Sequence, residues 1–424
     1  METNWAGNYR YRARKLHHPS TIEQVQEIVA GAGSVHVLGS RHSFNDIGDA
    51  DELIRLDGLA ADVAVDHSQG TVSFGAGLTY GELATALNAE GVAVHNLASL
   101  PHISVAGAVM TATHGSGEGN GNLATAVAGL ELVTSNGEVL KASRGDADFD
   151  GLVVGLGAIG AVTHMTLDVE PAYEVRQRVF EGLSWDALAE HFDEIGALGY
   201  SVSVFTRWGE NVDQVWIKSR VTDQPESVRD DLFGAVAATV ERHPILGLDP
   251  VNCSPQLGLP GLWSDRLPHF RMGFRPGSGA ELQSEYAVPR RRALPAIDAL
   301  RGVADRIRPV LQVCEIRTVA ADRLWMSPQY GQDTVGFHFT WTPEQAAVEA
   351  VLIDVEAALA PFRARPHWGK LFLAEAPAIA SLYERRSDFI SLLKRLDPRG
   401  AFRNTWLEKR VLGEQAARAA RGGK

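Results

Sequence analysis

The sequence predicts an α+β protein of two domains, and three observations carry that prediction. The chain has 424 residues, more than one hydrophobic core usually serves. Its first ~170 residues alternate short helical and strand patterns around an Asn136-Gly137 hairpin turn, which favours antiparallel pairing over a strict βαβ repeat. From Pro171 onward the pattern changes: Tyr and Trp become more frequent, and polar pairs spaced i, i+2 interrupt apolar runs.

Ser20, with Glu23 three residues later, reads as a capping box ahead of the stripe Ile22, Val25 and Val29, so a helix is predicted from near residue 20. Val35 to Leu38 follows as a buried strand. It runs into Gly39-Ser40-Arg41-His42-Ser43-Phe44-Asn45, a turn with several free backbone amides and a candidate ligand loop. Thr71 to Gly77 predicts another strand, and Thr79 with Glu82 makes a second capping box ahead of Leu83 and Leu87. Leu130 to Ser135 and Glu138 to Ala142 flank the Asn-Gly turn, and Ala161 to Val169 is one more strand. Near the end of the chain, Phe389, Leu392, Leu393 and Leu396 lie at helical spacing before the stop Asp397-Pro398-Arg399-Gly400. Gln415 to Lys424 is small and charged and is expected to fray.

Hydrophobic residues make up 45% and charged residues 22%, with 42 Gly and 19 Pro, which excludes a disordered or collagen-like chain. The net charge of −12 repels phosphate backbones and anionic membranes, so nucleic acid is a poor partner. Cys253 and Cys314 are too few for a disulfide framework and too far apart for a zinc motif, as a reducing compartment would have it. No segment approaches the ~20 apolar residues that span a bilayer, and the first residues lack a basic or apolar leader pattern. The expectation is a cytoplasmic, soluble protein with no membrane partner. The histidines show no metal-ligand spacing, so no metal is expected.

Gly155-Leu156-Gly157-Ala158-Ile159-Gly160 matches the dinucleotide pattern G-x-G-x-x-G letter for letter. That pattern must open a helix that receives the pyrophosphate, whereas Ala161 to Leu167 is rich in β-formers. Two other segments, residues 38–45 and 98–117, combine Gly, Ser, Thr and His. Small residues let backbone amides close on a diphosphate, although glycine-rich turns between short elements fit either segment alone.

In the second half, Gln283/Glu285, Glu315/Arg317 and His338/Thr340 each project a polar pair to one side of a strand, while Leu282, Ile316, Phe337 and Phe339 face the other. Three such strands side by side would make a polar ceiling. An amphipathic sheet with its polar side in water, or a structural Glu315–Arg317 ion pair, fits the same pattern. His367-Trp368-Gly369-Lys370 fits a surface turn as well.

Residues Leu38 to Asn45, Asn96 to Ser104, Thr111 to Gly121, Cys314 to Asp322, His367 to Lys370 and Leu396 to Asn404 together resemble the vanillyl-alcohol-oxidase-type flavoproteins. Within them the resemblance is to the alditol (xylitol) oxidases, which stand near the aldonolactone oxidases, and it covers nearly the whole chain. It implies a bipartite FAD-binding domain built from both chain ends: residues 1–171 as two α/β subdomains, 172–372 as a substrate-binding cap containing an antiparallel sheet, and 373–424 returning to the FAD domain. It also implies a covalent bond from His42 to the flavin 8α-methyl. Gly39, Ser40, Arg41 and Ser43 would cradle the pyrophosphate, with Arg41 standing where many relatives carry glycine. Ser99, Ser104, Gly107, Thr111, Ala112, Thr113, His114, Val162 and His367 would line the flavin, and Ala98 would lie near the edge that O2 must reach.

For the substrate, the resemblance implies contacts from Ser99, Gln283, Glu315, Arg317, Thr340 and Lys370, with His338 in the same cavity. Each polyol hydroxyl taken from water needs a partner, since an unpaired one costs ~1 to 3 kcal/mol, and this mixture of side chains supplies them. Arg317 and Lys370 would stabilise a developing alkoxide, Lys370 or His338 would take the hydroxyl proton, and Glu315 would orient Arg317. The implied reaction converts the terminal primary hydroxyl of an alditol such as xylitol or sorbitol to the aldose, with hydride passing to flavin N5 and O2 becoming H2O2. An aldonolactone oxidase or dehydrogenase on the same scaffold is the alternative, and the implied partners are a small polyol and O2, on a monomer.

Overall fold

The computed structural model describes residues 2–221, 231–273 and 281–413. The stretch from Gln415 that was expected to fray lies outside these residues.

The first helix spans Ile22–Gly31 and buries Val25 and Val29. Its cap is Thr21, whose side chain accepts from the Gln24 amide, and not Ser20 with Glu23. Thr21 holds the extended backbone that a cap requires, which shifts the predicted start by one residue. Strands Lys15–His17, Glu52–Ile54 and Val35–Val37 form a small parallel sheet, with Glu52–Ile54 in the middle. Parallel pairing was not expected here; strands of three residues are too short to display a period in the sequence.

A five-stranded antiparallel sheet follows, ordered Ala64–Asp66, Thr71–Gly75, Ala161–Asp168, Val127–Val133 and Val139–Ser143. Its hairpin closes through a Thr134 carbonyl that accepts from the Gly137 amide, and Gly137 takes φ +81°. Gly137 therefore sits just past the turn in the left-handed conformation, a bulged hairpin rather than a two-residue one. The second capping box is present as predicted: Thr79 accepts from the Glu82 amide, Glu82 reaches back to Thr79, and helix Tyr80–Ala89 buries Leu83 and Leu87.

From Glu174 the chain builds a ten-stranded antiparallel sheet. Strands Gln214–Arg220, Ser201–Thr206, Leu311–Val319, Thr334–Trp341 and Leu282–Pro289 lie side by side in that order. Leu282, Ile316, Phe337 and Phe339 are buried in one continuous core with Ile297 and Leu300 of helix Ala293–Gly302 and with Val348 and Leu352 of helix Gln345–Leu359. The opposite face of the sheet turns towards the N-terminal sheets.

The chain then returns. Helix Arg386–Leu396 is followed by Asp397, which is buried and accepts from the Ala401 and Phe402 amides. The carbonyls of Ala401 and Phe402 in turn accept from the Val35 amide at 2.8 Å and from His36 Nε2 at 2.7 Å. Among the described residues, no helix is long and apolar enough to cross a membrane.

Candidate active site

The two Gly/Ser segments meet each other. The Ser40 hydroxyl accepts from the Ser104 amide at 2.8 Å, and Ser104 Oγ accepts from the Ser40 amide at 3.4 Å. Gly39 and Gly107 both approach Ser104 so closely that a Cβ on either would collide with its Oγ; for Gly107 the separation would be 2.6 Å. Arg41 adopts φ +65°, a conformation that glycine takes without strain, so the loop keeps a glycine-like path with an arginine in it. The loop is also fastened to the turn 367–370. The Phe44 amide donates to the Gly369 carbonyl at 2.7 Å, and Asn45 Nδ2 donates to the carbonyls of Trp368 and Lys370, both at 2.8 Å. Trp368 is fully buried, so this is no surface turn.

Loop, turn and sheet enclose one cavity of about 790 Å³. His42 lies on its wall, stacked on Trp5 with ring centroids 5.3 Å apart. Among the described residues its Nδ1 is buried without a hydrogen-bond partner, and burial pushes the imidazole pKa down to about 4. Leu156, Gly157 and Gly160 line the cavity too. They lead into the extended strand Ala161–Asp168 and not into a helix, so the dinucleotide spelling is a wall segment with three positive-φ residues.

The ceiling follows from register. His338 pairs with Glu285 on one side and Glu315 on the other; Thr340 pairs with Gln283 and Val313, and Gly336 with Ala287 and Arg317. All the predicted polar pairs therefore share one face and look into the cavity. Glu285 is their hub. Its Oε2 meets Lys370 Nζ at 2.5 Å, and its Oε1 meets His114 Nε2 at 2.8 Å and Arg317 Nη2 at 3.2 Å. Against the cost of burial, Lys370, His114 and Arg317 hold the Glu285 carboxyl well below the usual carboxylate range. Glu315 is held low in the same way by Arg317 and by His269, whose Nε2 lies 2.8 Å from Glu315 Oε1.

His338 Nδ1 sits 2.7 Å from Lys370 Nζ and 3.1 Å from Arg317 Nη2. Burial, with Lys370 beside it, pushes the His338 pKa down to about 4, so the ring is neutral and Nδ1 accepts from the two cations. Burial also lowers the Lys370 pKa, opposed by Glu285 and reinforced by Arg317.

Ser43, Ala98, Ser99, Thr111, Thr113, Val162, Gln283, Thr340 and His367 line the same cavity. Ala112 does not: its side chain is fully buried away from it, and at φ +53° the residue shapes the turn that presents Thr111 and Thr113. Three contributors carried no role in the sequence reading. Glu285 was visible only as the neighbour of Gln283, and His269 and Lys218 belong to no motif; their proximity to Glu315 exists only after the strands pair. No cluster of three or more His, Cys, Asp or Glu among the described residues is placed to hold a metal.

Residues 14–143 match the FAD binding domain family, and residues 280–410 match the D-arabinono-1,4-lactone oxidase family. Over 96% of the chain and 97% of the relative, the sequence is 48% identical to an alditol oxidase of Streptomyces sp.. The chain belongs to the alditol oxidase family. An L-gulono-1,4-lactone dehydrogenase of Mycobacterium tuberculosis is a more distant relative of this alditol oxidase family member, 27% identical over 97% of this chain and 99% of its own. A cholesterol oxidase from B. sterolicum shares the two-domain fold, with a TM-score of 0.77 over 96% of both chains at 15% identity.

The residues present in this family member fit FAD. Gly39 and Gly107 leave no room for side chains where the two segments close on Ser104, and His42 offers a buried, unpaired nitrogen at the cavity wall.

Proposed function

We propose that the protein oxidises the terminal primary hydroxyl of an alditol such as xylitol or sorbitol to the aldose, with FAD as electron acceptor and O2 reduced to H2O2. The observation that carries this reading is the ceiling: Gln283, Glu285, Glu315, Arg317, His338, Thr340 and Lys370 on one wall give every hydroxyl of a short polyol a donor or acceptor. The 48% identity to an alditol oxidase supports it.

Bound FAD would supply the two-electron chemistry, as acceptor of hydride from the alcohol carbon and donor of the electrons to O2. The chain's residues do the rest. Gly39, Ser40, Arg41, Ser43, Ser104 and Gly107 would hold the pyrophosphate, while Ser99, Thr111, Thr113, His114, Val162 and His367 would border the ring. His42 would hold the flavin covalently at its 8α-methyl, a role that its unpaired Nδ1 suits. Ser99, Gln283 and Thr340 bind substrate hydroxyls, and Glu315 accepts from another while orienting Arg317. Arg317 stabilises the charge that builds on the substrate oxygen. Lys370, its pKa lowered by burial, takes the hydroxyl proton; His338 is held neutral and serves to position the Lys370 amine.

The same reading divides the chain into an FAD domain over residues 1–171, a cap over 172–372 and a returning segment over 373–424, acting as a cytoplasmic monomer. The contacts of Ala401 and Phe402 with Val35 and His36 support the return.

Peroxide formation in air with xylitol, sorbitol and glycerol, beside L-gulono- and D-arabinono-lactones, tests the reaction. Peroxide from the polyols is the expected result. Peroxide from the lactones alone would keep the flavin and transfer the activity to aldonolactones, the reading that the match over residues 280–410 favours.

A further inference from the structure

A second row of buried polar groups stands behind Glu315. Lys218, on strand Gln214–Arg220, is 1% exposed. Its Nζ meets three acceptors: the Leu267 carbonyl at 2.5 Å, the Pro268 carbonyl at 3.2 Å and His269 Nδ1 at 3.1 Å. Three acceptors match the three N–H groups of a charged ammonium and leave it fully satisfied. A charged Lys218 has only hydrogens to offer, so His269 Nδ1 must accept. The one proton of the neutral imidazole then lies on Nε2, aimed at Glu315 Oε1 2.8 Å away. The ring cannot swing, because it packs edge-to-face against Phe205 and Trp216 with centroids at 5.5 and 5.4 Å. Among the described residues, both ties to Glu315, from His269 and from Arg317 Nε at 3.6 Å, fall on Oε1, which leaves Oε2 to meet a ligand.

We infer that Lys218 and His269 are positioning residues for substrate binding: Lys218 locks the Nε2–H tautomer of His269, which fixes Glu315 so that its free oxygen accepts one polyol hydroxyl. This rests on the polyol reading above. Lys218 is not part of the cavity lining and reaches it only through His269 and Glu315, so its effect should fall on binding more than on hydride transfer. The groups that face Lys218 are His269, Glu315, Arg317 and the Cys253 thiol. Burial pushes that thiol up to about 12, holds His269 down at about 4 and leaves Lys218 at about 7, so near neutral pH only the lysine changes charge.

The test uses flavin-loaded protein with 15N-labelled histidine rings, the His269 signal being the one absent from His269→Gln. The wild type should show a neutral Nε2–H ring at pH 6, with the preference weakening as pH rises through about 7. In Lys218→Met the preference should weaken, since Glu315 alone then selects Nε2–H, and the KM for xylitol should rise about tenfold while kcat changes less than about threefold. An Nδ1–H or doubly protonated His269 in the wild type would overturn the lock, and an unchanged KM in flavin-loaded Lys218→Met would overturn the positioning role. Should Lys218→Met fail to fold, the wild-type tautomer and its pH dependence still decide the matter. A wild type that oxidises no polyol would defeat the reading of the reaction while the ring spectrum went on judging the lock.

Discussion

Glu285 grips Lys370 at 2.5 Å through one carboxylate oxygen. Its other oxygen binds His114 and Arg317, so one buried anion joins three parts of the chain: the segment after Thr113, the Leu311–Val319 strand and the 367–370 turn. Gly336 makes this geometry fit, because a Cβ there would stand 3.1 Å from Glu285 Oε1.

Replacing Glu285 by Gln removes the charge that these donors share and leaves Lys370 and Arg317 buried without it. The expected cost is ~3 to 5 kcal/mol of stability, together with flavin reduction by xylitol slowed ~100-fold. Thermal melting and anaerobic stopped-flow mixing check the two effects. A melting point equal to that of the wild type would mean that Glu285 is not the hub of the site.

The role of base proposed for Lys370 requires that its ammonium has lost a proton. Because burial lowers its pKa, flavin reduction should rise with pH through a value below the ordinary ~10.4 of lysine and then level off. Lys370→Met should lack that limb and be slower by at least ~100-fold. An unchanged limb in the variant would assign it to another group.

Arg41 sits at φ +65° immediately before His42. Arg41→Gly should leave the covalent flavin attachment proposed for His42 intact, while Arg41→Val, with a branched side chain in that conformation, should cost ~1 to 3 kcal/mol and deplete attachment. In-gel flavin fluorescence after denaturation reads the outcome. Full attachment in the valine variant would show that the loop does not need this backbone.

His269 and His338 are neutral in the folded protein, with pKa values pushed down to about 4 by burial. The unfolded chain binds protons at the ordinary ~6.5, so their contribution to stability is complete above that value and is lost as pH falls from ~6.5 to about 4. Glu285 and Glu315 act lower: their contribution persists until pH drops below the ordinary carboxylate value of ~4.3. The melting temperature should therefore fall by at least ~5 °C between pH 7 and pH 5, a window in which Glu285 and Glu315 stay ionised and the fall is only partly offset by Asp322, whose carboxyl burial pushes up to about 6. A flat profile over that window would contradict the burial of neutral imidazoles.

The ceiling was legible because a strand repeats every two residues, so Gln283/Glu285, Glu315/Arg317 and His338/Thr340 declared a common face before any pairing was known. The loop of Gly39 to Ser43 was legible from residue type. The role of Glu285 was not, since Lys370 lies 85 residues away in sequence and only the register across the sheet brings the two together. Lys218 and His269 were hidden for the same reason, and Ala112 misled because a small residue in a glycine-rich run carries no sign of which way its backbone will turn. The one-residue slip at Thr21 is of another kind: two hydroxyl residues stand side by side, and local pattern cannot choose between them.

The pairing of Phe44 with Gly369, of Asn45 with Trp368 and Lys370, and of Val35 with Ala401 has a consequence for how the molecule is made. The segment that holds His42 leaves the ribosome among the first tenth of the chain, yet its supports are synthesised near the end. Until then the loop can close only against early partners, the Ser104 segment and Trp5. A nascent chain that stalls before the 367–370 turn therefore lacks the fastenings of Phe44 and Asn45 that complete the loop.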